Sequence, residues 1–194
     1  MRRISRLVAI SAAAALALLS PAVASAAPLA PVAQVDVERY ASGTWYQLAT
    51  IPAPFSIDCY LDATAEYAVI DENNIAVTNS CTTFAGERRG VEGNARANGV
   101  GEFHVSFRNI PFQGSEDGPT NYVLTYVADD YSWALVGNPS RTSAWVLSRT
   151  PAVSDDGWRQ IRSVVEARGF NSCFLMTSPT TGGLDRIVPL CTLE

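Results

Sequence analysis

The chain contains no lysine: all 14 of its basic residues are arginine, set against 19 aspartates and glutamates. An acidic balance of this kind argues against nucleic acid and against anionic membrane surfaces as partners. Histidine is nearly absent too. The one copy, His104, alternates out of phase with Phe103, Val105 and Phe107 and is expected to face outward. Without a second histidine, a Ser-His-Asp or Cys-His constellation would have to use that residue, so nucleophilic catalysis has little support. No C-x-x-C pair occurs, and with one histidine no metal-ligand spacing forms, so neither a metal nor a cofactor is expected. Long apolar runs are also missing. The longest, Leu7 to Leu19, is too short to span a bilayer.

That short run has a specific setting. Arg2, Arg3 and Arg6 precede it, and Ala24-Ser25-Ala26 follows as a small-x-small cleavage site. Residues 1–26 therefore read as a secretory signal. Its removal would leave 11 arginines of the 14, so the mature chain is more acidic still. No cysteine follows Ala26, so no lipid anchor is expected, and the protein is placed in the cell envelope or outside the cell. Residues 27–34, rich in proline and alanine, read as a loose arm. Residues 35–178 form one domain by size, and 179–194 a tail.

The four cysteines are Cys59, Cys81, Cys173 and Cys191. An even count in an exported chain reads as two disulfides, with three possible connectivities. The preferred one joins Cys59 to Cys81 across one hairpin and Cys173 to Cys191 in the tail. Register is its weak point. If Ile70 and Ile75 face each other across the turn, Cys59 and Cys81 fall several residues out of step, and a folded-over segment near Cys59 must close the gap. The alternative, Cys59–Cys191 with Cys81–Cys173, would pin the tail across the fold. Sulfurs held in disulfides are not nucleophilic thiolates.

Along the rest of the chain the apolar period is two. Ala63, Ala65, Tyr67 and Val69 alternate with polar or small neighbours, Asp71-Glu72-Asn73-Asn74 is a turn, and Ile75 and Val77 continue the alternation. With segments from Trp45, Val91 to Arg96, Phe103 to Arg108, Asn121 to Val127, Tyr131 to Gly137 and Ser143 to Ser148, the pattern gives eight short strands. Such spacing fits a sandwich or an up-and-down barrel, and periodicity alone does not choose between them. One helix follows, near 154–168. Ser154 is a natural N-cap, Asp155 and Asp156 suit the first turn, Trp158, Ile161 and Val165 form an apolar face, and Gly169 stops it. A single helix after eight strands favours an all-β, eight-stranded antiparallel barrel with one C-terminal flanking helix. Leu175 to Ser178 is a candidate ninth strand.

Three motifs stand in order along this frame. Gly43-Thr44-Trp45 opens the first strand, Ala128-Asp129-Asp130-Tyr131-Ser132-Trp133-Ala134-Leu135-Val136 lies in the middle, and Trp145-Val146-Leu147-Ser148-Arg149-Thr150-Pro151 precedes the helix. Together they resemble the lipocalin family, specifically its bacterial branch, over about Val35 to Met176. In the second motif Ala128 stands where Thr is frequent, and Trp133 where Tyr is usual. The missing anchor cysteine, the C-terminal cysteine pair and the tail 179–194 depart from that branch. The resemblance implies that Arg149 lies across the indole of Trp45 at the closed end of a cup, a cation–π contact worth about 1–2 kcal/mol when shielded. Gly43, Trp45 and Arg149 are then structural.

Function is expected in the cup. Inward candidates are Ala63, Ala65, Tyr67, Val77, Phe103, Val105, Phe107, Tyr122, Leu124, Tyr126, Leu135 and Leu147. An apolar lining with phenolic handles suits a small hydrophobic ligand with one polar end, such as a fatty acid or phospholipid. The competing reading of the same residues is a filled core. Asp129-Asp130 and Asp155-Asp156 read as solvated turn and helix-start residues rather than an acid/base pair. A carrier without catalytic activity is the leading function. A lipid-modifying or isomerising enzyme that uses the cup, or an inhibitor module binding through loops such as Pro111 to Pro119, are the alternatives.

Overall fold

Strict alternation of small or apolar residues with polar ones builds the wall of this protein. The computed structural model describes residues 27–193, and the signal segment expected at 1–26 lies outside the described residues. Its strands are β1 (Thr44–Thr50), β2 (Cys59–Val69), β3 (Asn74–Thr83), β4 (Arg88–Gly99), β5 (Glu102–Ser106), β6 (Tyr122–Val127), β7 (Trp133–Gly137), β8 (Ala144–Ser148) and β9 (Met176–Thr177). They pair in the order β2-β3-β4-β5-β6-β7-β8-β1-β9. A further antiparallel pairing of β1 with β2, through Thr44↔Glu66, Trp45↔Ala65 and Tyr46↔Thr64, closes eight of them into an up-and-down barrel. Closure removes the free edges that an open sheet would expose.

The helix α2 (Asp155–Ala167) begins at Ser154, whose Oγ accepts from the Gly157 N–H at 3.2 Å. Beyond it Gly169 turns the chain at φ +80°. Its buried stripe of Trp158, Ile161 and Val165 packs on the outside of the barrel, against Leu48, Val123, Leu135 and Val146. Each fully buried aliphatic side chain here stabilises by about 1.5–3 kcal/mol. The barrel therefore has two apolar layers, one beneath the helix and one inside the cup.

A second helix, α1 (Val37–Ala41), plugs one end and was not legible in the sequence. Five residues are too few for a helical period to register. Asp36 caps it, accepting from the Arg39 N–H at 3.0 Å. Gly43 then takes φ +64°, a left-handed conformation that lets the chain swing from α1 into β1. That conformation is the physical reason for glycine at the head of the first motif.

The loose arm expected at 27–34 is a correction: this segment is docked. Leu29 is buried under the outer layer and its N–H reaches the Pro139 carbonyl at 3.0 Å. Val32 N–H donates to the Leu124 carbonyl at 2.9 Å, and Thr125 Oγ1 donates to the Ala30 carbonyl at 2.7 Å. Proline and alanine suit an extended segment that lies along a barrel as well as one that does not.

The disulfides join Cys59 to Cys81 and Cys173 to Cys191. The register problem at Cys59 is met by two irregularities in β2, between Cys59 and Leu61 and between Leu61 and Thr64, which bring Cys59 opposite Thr83. Asp62 sits in this bulge at φ +53°. Its carboxylate accepts from the Thr181 N–H at 2.7 Å and from Thr181 Oγ1 at 2.8 Å, fastening the tail to the barrel wall.

Candidate ligand-binding cup

The barrel interior is not filled. It holds a cavity of about 960 Å³, at the upper end of the range of small-molecule sites. Ala63, Ala65, Tyr67, Val77, Phe103, Val105, Phe107, Tyr122 and Leu147 line it. Small residues on β2 and β4, Ala63, Ala65 and Ala95, leave the space. Gly93 contributes differently: a Cβ there would stand 2.6 Å from the Phe107 ring, so its absence lets that ring lie against β4.

Three of the expected lining residues are placed elsewhere. Leu124 points inward but is wholly buried in the floor, packed with Trp45, Ala134 and Val136 below the cavity. Leu135 and Tyr126 face outward into the layer beneath α2, where Tyr126 meets Trp133 with ring centroids 4.5 Å apart. Two causes combine. A register shift in β6 between Leu124 and Tyr126 reverses the alternation. The helix also makes the outer face of β7 as apolar as the inner one, and all five residues of β7 are buried. Alternation carries no direction in such a strand. The inward residue missed on β8 is Trp145, which shares its face with Leu147 two positions on. That parity was the available signal. Tyr40 also lines the cup, delivered by α1, which had no sequence signature.

The floor is built as a stack. Trp45 is fully buried, and its Nε1–H donates to the Tyr40 carbonyl at 2.8 Å. The Arg149 guanidinium lies over the indole, its Cζ 3.5 Å from the ring centroid. It donates to the carbonyls of Ser42, Thr44, Arg39 and Tyr40, joining α1 to β1 and β8. Burial pulls its pKa below the ordinary value, and the group stays charged. No carboxylate pairs with it among the described residues.

Above this stack three phenols meet at the deep end of the cavity. Tyr40 Oη and Tyr122 Oη are 2.6 Å apart, and Tyr67 Oη and Tyr122 Oη 3.1 Å. Burial pushes all three hydroxyls above their ordinary pKa, Tyr40 and Tyr122 well above it, so they are neutral at physiological pH.

The mouth has a different character. Pro52 to Ile57, Tyr60, Phe84, Ile110 and Ile187 surround it. Phe55, Ile57, Tyr60, Phe84 and Ile187 are exposed there, with Tyr60 and Phe84 in ring contact at 4.9 Å. Arg89 is the one charged residue of the lining, and it is paired with Asp58. The Cys59–Cys81 disulfide stands in the wall at this end. His104 faces outward, its ring nitrogens against the carbonyls of Pro119 at 2.8 Å and Ser115 at 3.0 Å, where it holds the loop after β5. Among the described residues no group of three or more His, Cys, Asp or Glu side chains could hold a metal ion, and no helix is long and apolar enough to cross a membrane.

Comparison with known proteins agrees with this geometry. The family profile described as a lipocalin-like domain matches residues 35–180. The outer membrane lipoprotein Blc of Escherichia coli K12 is 32% identical over 173 residues, spanning 86% of this chain and 93% of that protein. Temperature-induced lipocalin-1 of Arabidopsis thaliana is 30% identical over 149 residues, 75% of this chain and 79% of that protein. Among solved structures, insecticyanin from the tobacco hornworm Manduca sexta superimposes with a TM-score of 0.59 at 15% identity, over 82% of this chain and 92% of that one. At that identity the last likeness speaks for the fold alone.

Proposed function

The chain belongs to the lipocalin family, and from that premise we propose that it is an exported carrier that holds a lipid, a fatty acid or a phospholipid, in its barrel cup. Binding of a small hydrophobic ligand is the general property of the family. The finer reading rests on one observation: the interior keeps a cavity of about 960 Å³, lined mainly by apolar side chains. A core packed to the usual density leaves few voids larger than a water molecule, so a space of this size is built to be occupied. Release after cleavage behind Ala26 is part of the proposal. The Escherichia coli relative is named a lipoprotein, whereas here Ala27, not a cysteine, follows the small-x-small site.

The cup offers no catalytic group beyond neutral phenols, and all four cysteines are in disulfides. Transport, storage or scavenging is therefore favoured over conversion of the ligand. A loop-based interaction module has one observation of its own. Phe112, in the loop after β5, is fully exposed, and Phe55, Ile57 and Phe84 are exposed at the mouth.

The test is native mass spectrometry of the secreted protein with lipid extraction, followed by titration of the delipidated protein with a fluorescent fatty acid. One bound lipid per chain and saturable micromolar binding are expected. An empty cup that takes no apolar probe would refute the carrier reading and favour the loops.

A further inference from the structure

The three phenols at the deep end of the cup form a hydrogen-bonded cluster with one weak side. Tyr40, Tyr67 and Tyr122 have three hydroxyl protons between them and make two close contacts, Tyr40–Tyr122 and Tyr67–Tyr122. Among the described residues no group outside the cluster bonds to these oxygens, and the third side, Tyr40 to Tyr67, is the loosest of the three. One phenolic O–H is therefore held only weakly, across the Tyr40–Tyr67 side, and all three residues line the cavity. A poorly held buried donor is costly, so the floor is poised for an acceptor.

Charge favours a particular acceptor. Arg149 lies directly behind Trp45 and donates to the Tyr40 carbonyl, which places its positive charge beneath the phenols. Its partners are carbonyls, and no carboxylate neutralises it among the described residues. At the mouth the situation is reversed, because Arg89 is already paired with Asp58. Of the remaining polar lining, Gln47 donates to Ser178 Oγ at 2.7 Å, and Asn121 exchanges two hydrogen bonds with the Val105 backbone.

We propose that the cup takes its ligand polar end first, and that this end is a carboxylate received by the weakly held proton of the Tyr40–Tyr122–Tyr67 cluster. The hydrocarbon tail then runs up the apolar wall of Val77, Phe103 and Val105 toward the exposed rim. This inference rests on the carrier reading and adds the chemical class and direction of the ligand.

The number of phenolic protons dictates the variant. Replacing one or two of the tyrosines with phenylalanine still leaves one phenolic proton or more; only the triple variant Tyr40→Phe/Tyr67→Phe/Tyr122→Phe has none. Oleate, methyl oleate and a lysophosphatidylcholine are compared by competition against a fluorescent apolar probe. The wild type should prefer oleate to methyl oleate about tenfold or more, as expected for a hydrogen bond to a charged group. The triple variant should lose that preference while keeping its affinity for methyl oleate, which also reports that the cup is intact. Equal binding of acid and ester by the wild type overturns the proposal, and that comparison needs no variant. So does unchanged oleate binding by the triple variant. A lysophosphatidylcholine that outcompetes oleate overturns it as well, because its large head belongs at the mouth. A wild type that binds none of the three removes the carrier reading itself.

Discussion

Arg149 does the work of several residues at the closed end. It covers an indole, and it satisfies carbonyls from α1 and from the α1–β1 connection, that of Tyr40 in a part-buried place. A planar fork with five donors fits this role, and an ammonium would not. Arg149→Ala should therefore cost about 1–3 kcal/mol of stability, the sum expected for a shielded cation–π contact and unpaired carbonyls. Arg149→Lys should recover less than half of it. Urea unfolding measures both. Affinity for a neutral probe such as methyl oleate should barely change, since the guanidinium lies outside the cavity. Stability equal to wild type in the alanine variant would mean that α1 seals the barrel without it.

At the scale of elements, the limits of sequence reading are physical. Strands with one wet face announce their orientation. Phe103 and Val105 on β5, and Ala65, Tyr67 and Val77 on β2 and β3, were legible as inward because polar residues occupy the other side. Strands β6 to β8 are covered on both faces, by the cup and by α2, so Leu135 and Tyr126 read as inward when they are not, and Trp145 was passed over. The helix α2 was legible through its cap and stripe. The five-residue α1 and the docking of 27–34 were not, because both are fixed by distant partners such as Leu124 and Pro139. The tail is a similar case. Its cysteine pair was visible, but its attachment through Asp62 to Thr181, and through Arg162 to the Cys191 carbonyl at 3.1 Å, depends on tertiary geometry. Cys173–Cys191 closes a separation of 18 residues. A Cys173→Ser/Cys191→Ser variant should lose about 3 kcal/mol by the loop-entropy relation. Tail amides from Thr177 to Leu190 should exchange faster in it, while those of β3 and β4 remain protected. Uniform loss of protection across the barrel would show that the tail is part of the main cooperative unit.

At the scale of the whole molecule, the barrel spends its two apolar layers differently. The outer layer beneath α2 is packed with fully buried side chains such as Ile161, Val165 and Leu175 and holds the fold together. The inner layer is packed only at the floor and is open above it. Stability in the absence of ligand should thus come from the outer layer and the floor, and occupancy of the cup should add to it by mass action. A ligand at a hundred times its Kd stabilises by about 2.7 kcal/mol, or about 5–10 °C in Tm for a chain of this size. Ala63→Trp separates the two contributions. Ala63 is half-buried and lines the open part of the cavity, whereas Ala65 is packed into the floor beside Trp45 and would not accept a ring. The indole should occupy space that is empty, so the melting temperature of the delipidated variant should stay within a few degrees of wild type. The ligand-induced rise should shrink or vanish, because the new ring and the ligand compete for one volume. Thermal melting of both proteins, delipidated and with saturating oleate, measures both effects. A large drop in the delipidated variant would mean that the inner layer is closed around Ala63 in solution. A full ligand-induced rise in the variant would place the ligand outside the cup, at the exposed aromatic rim.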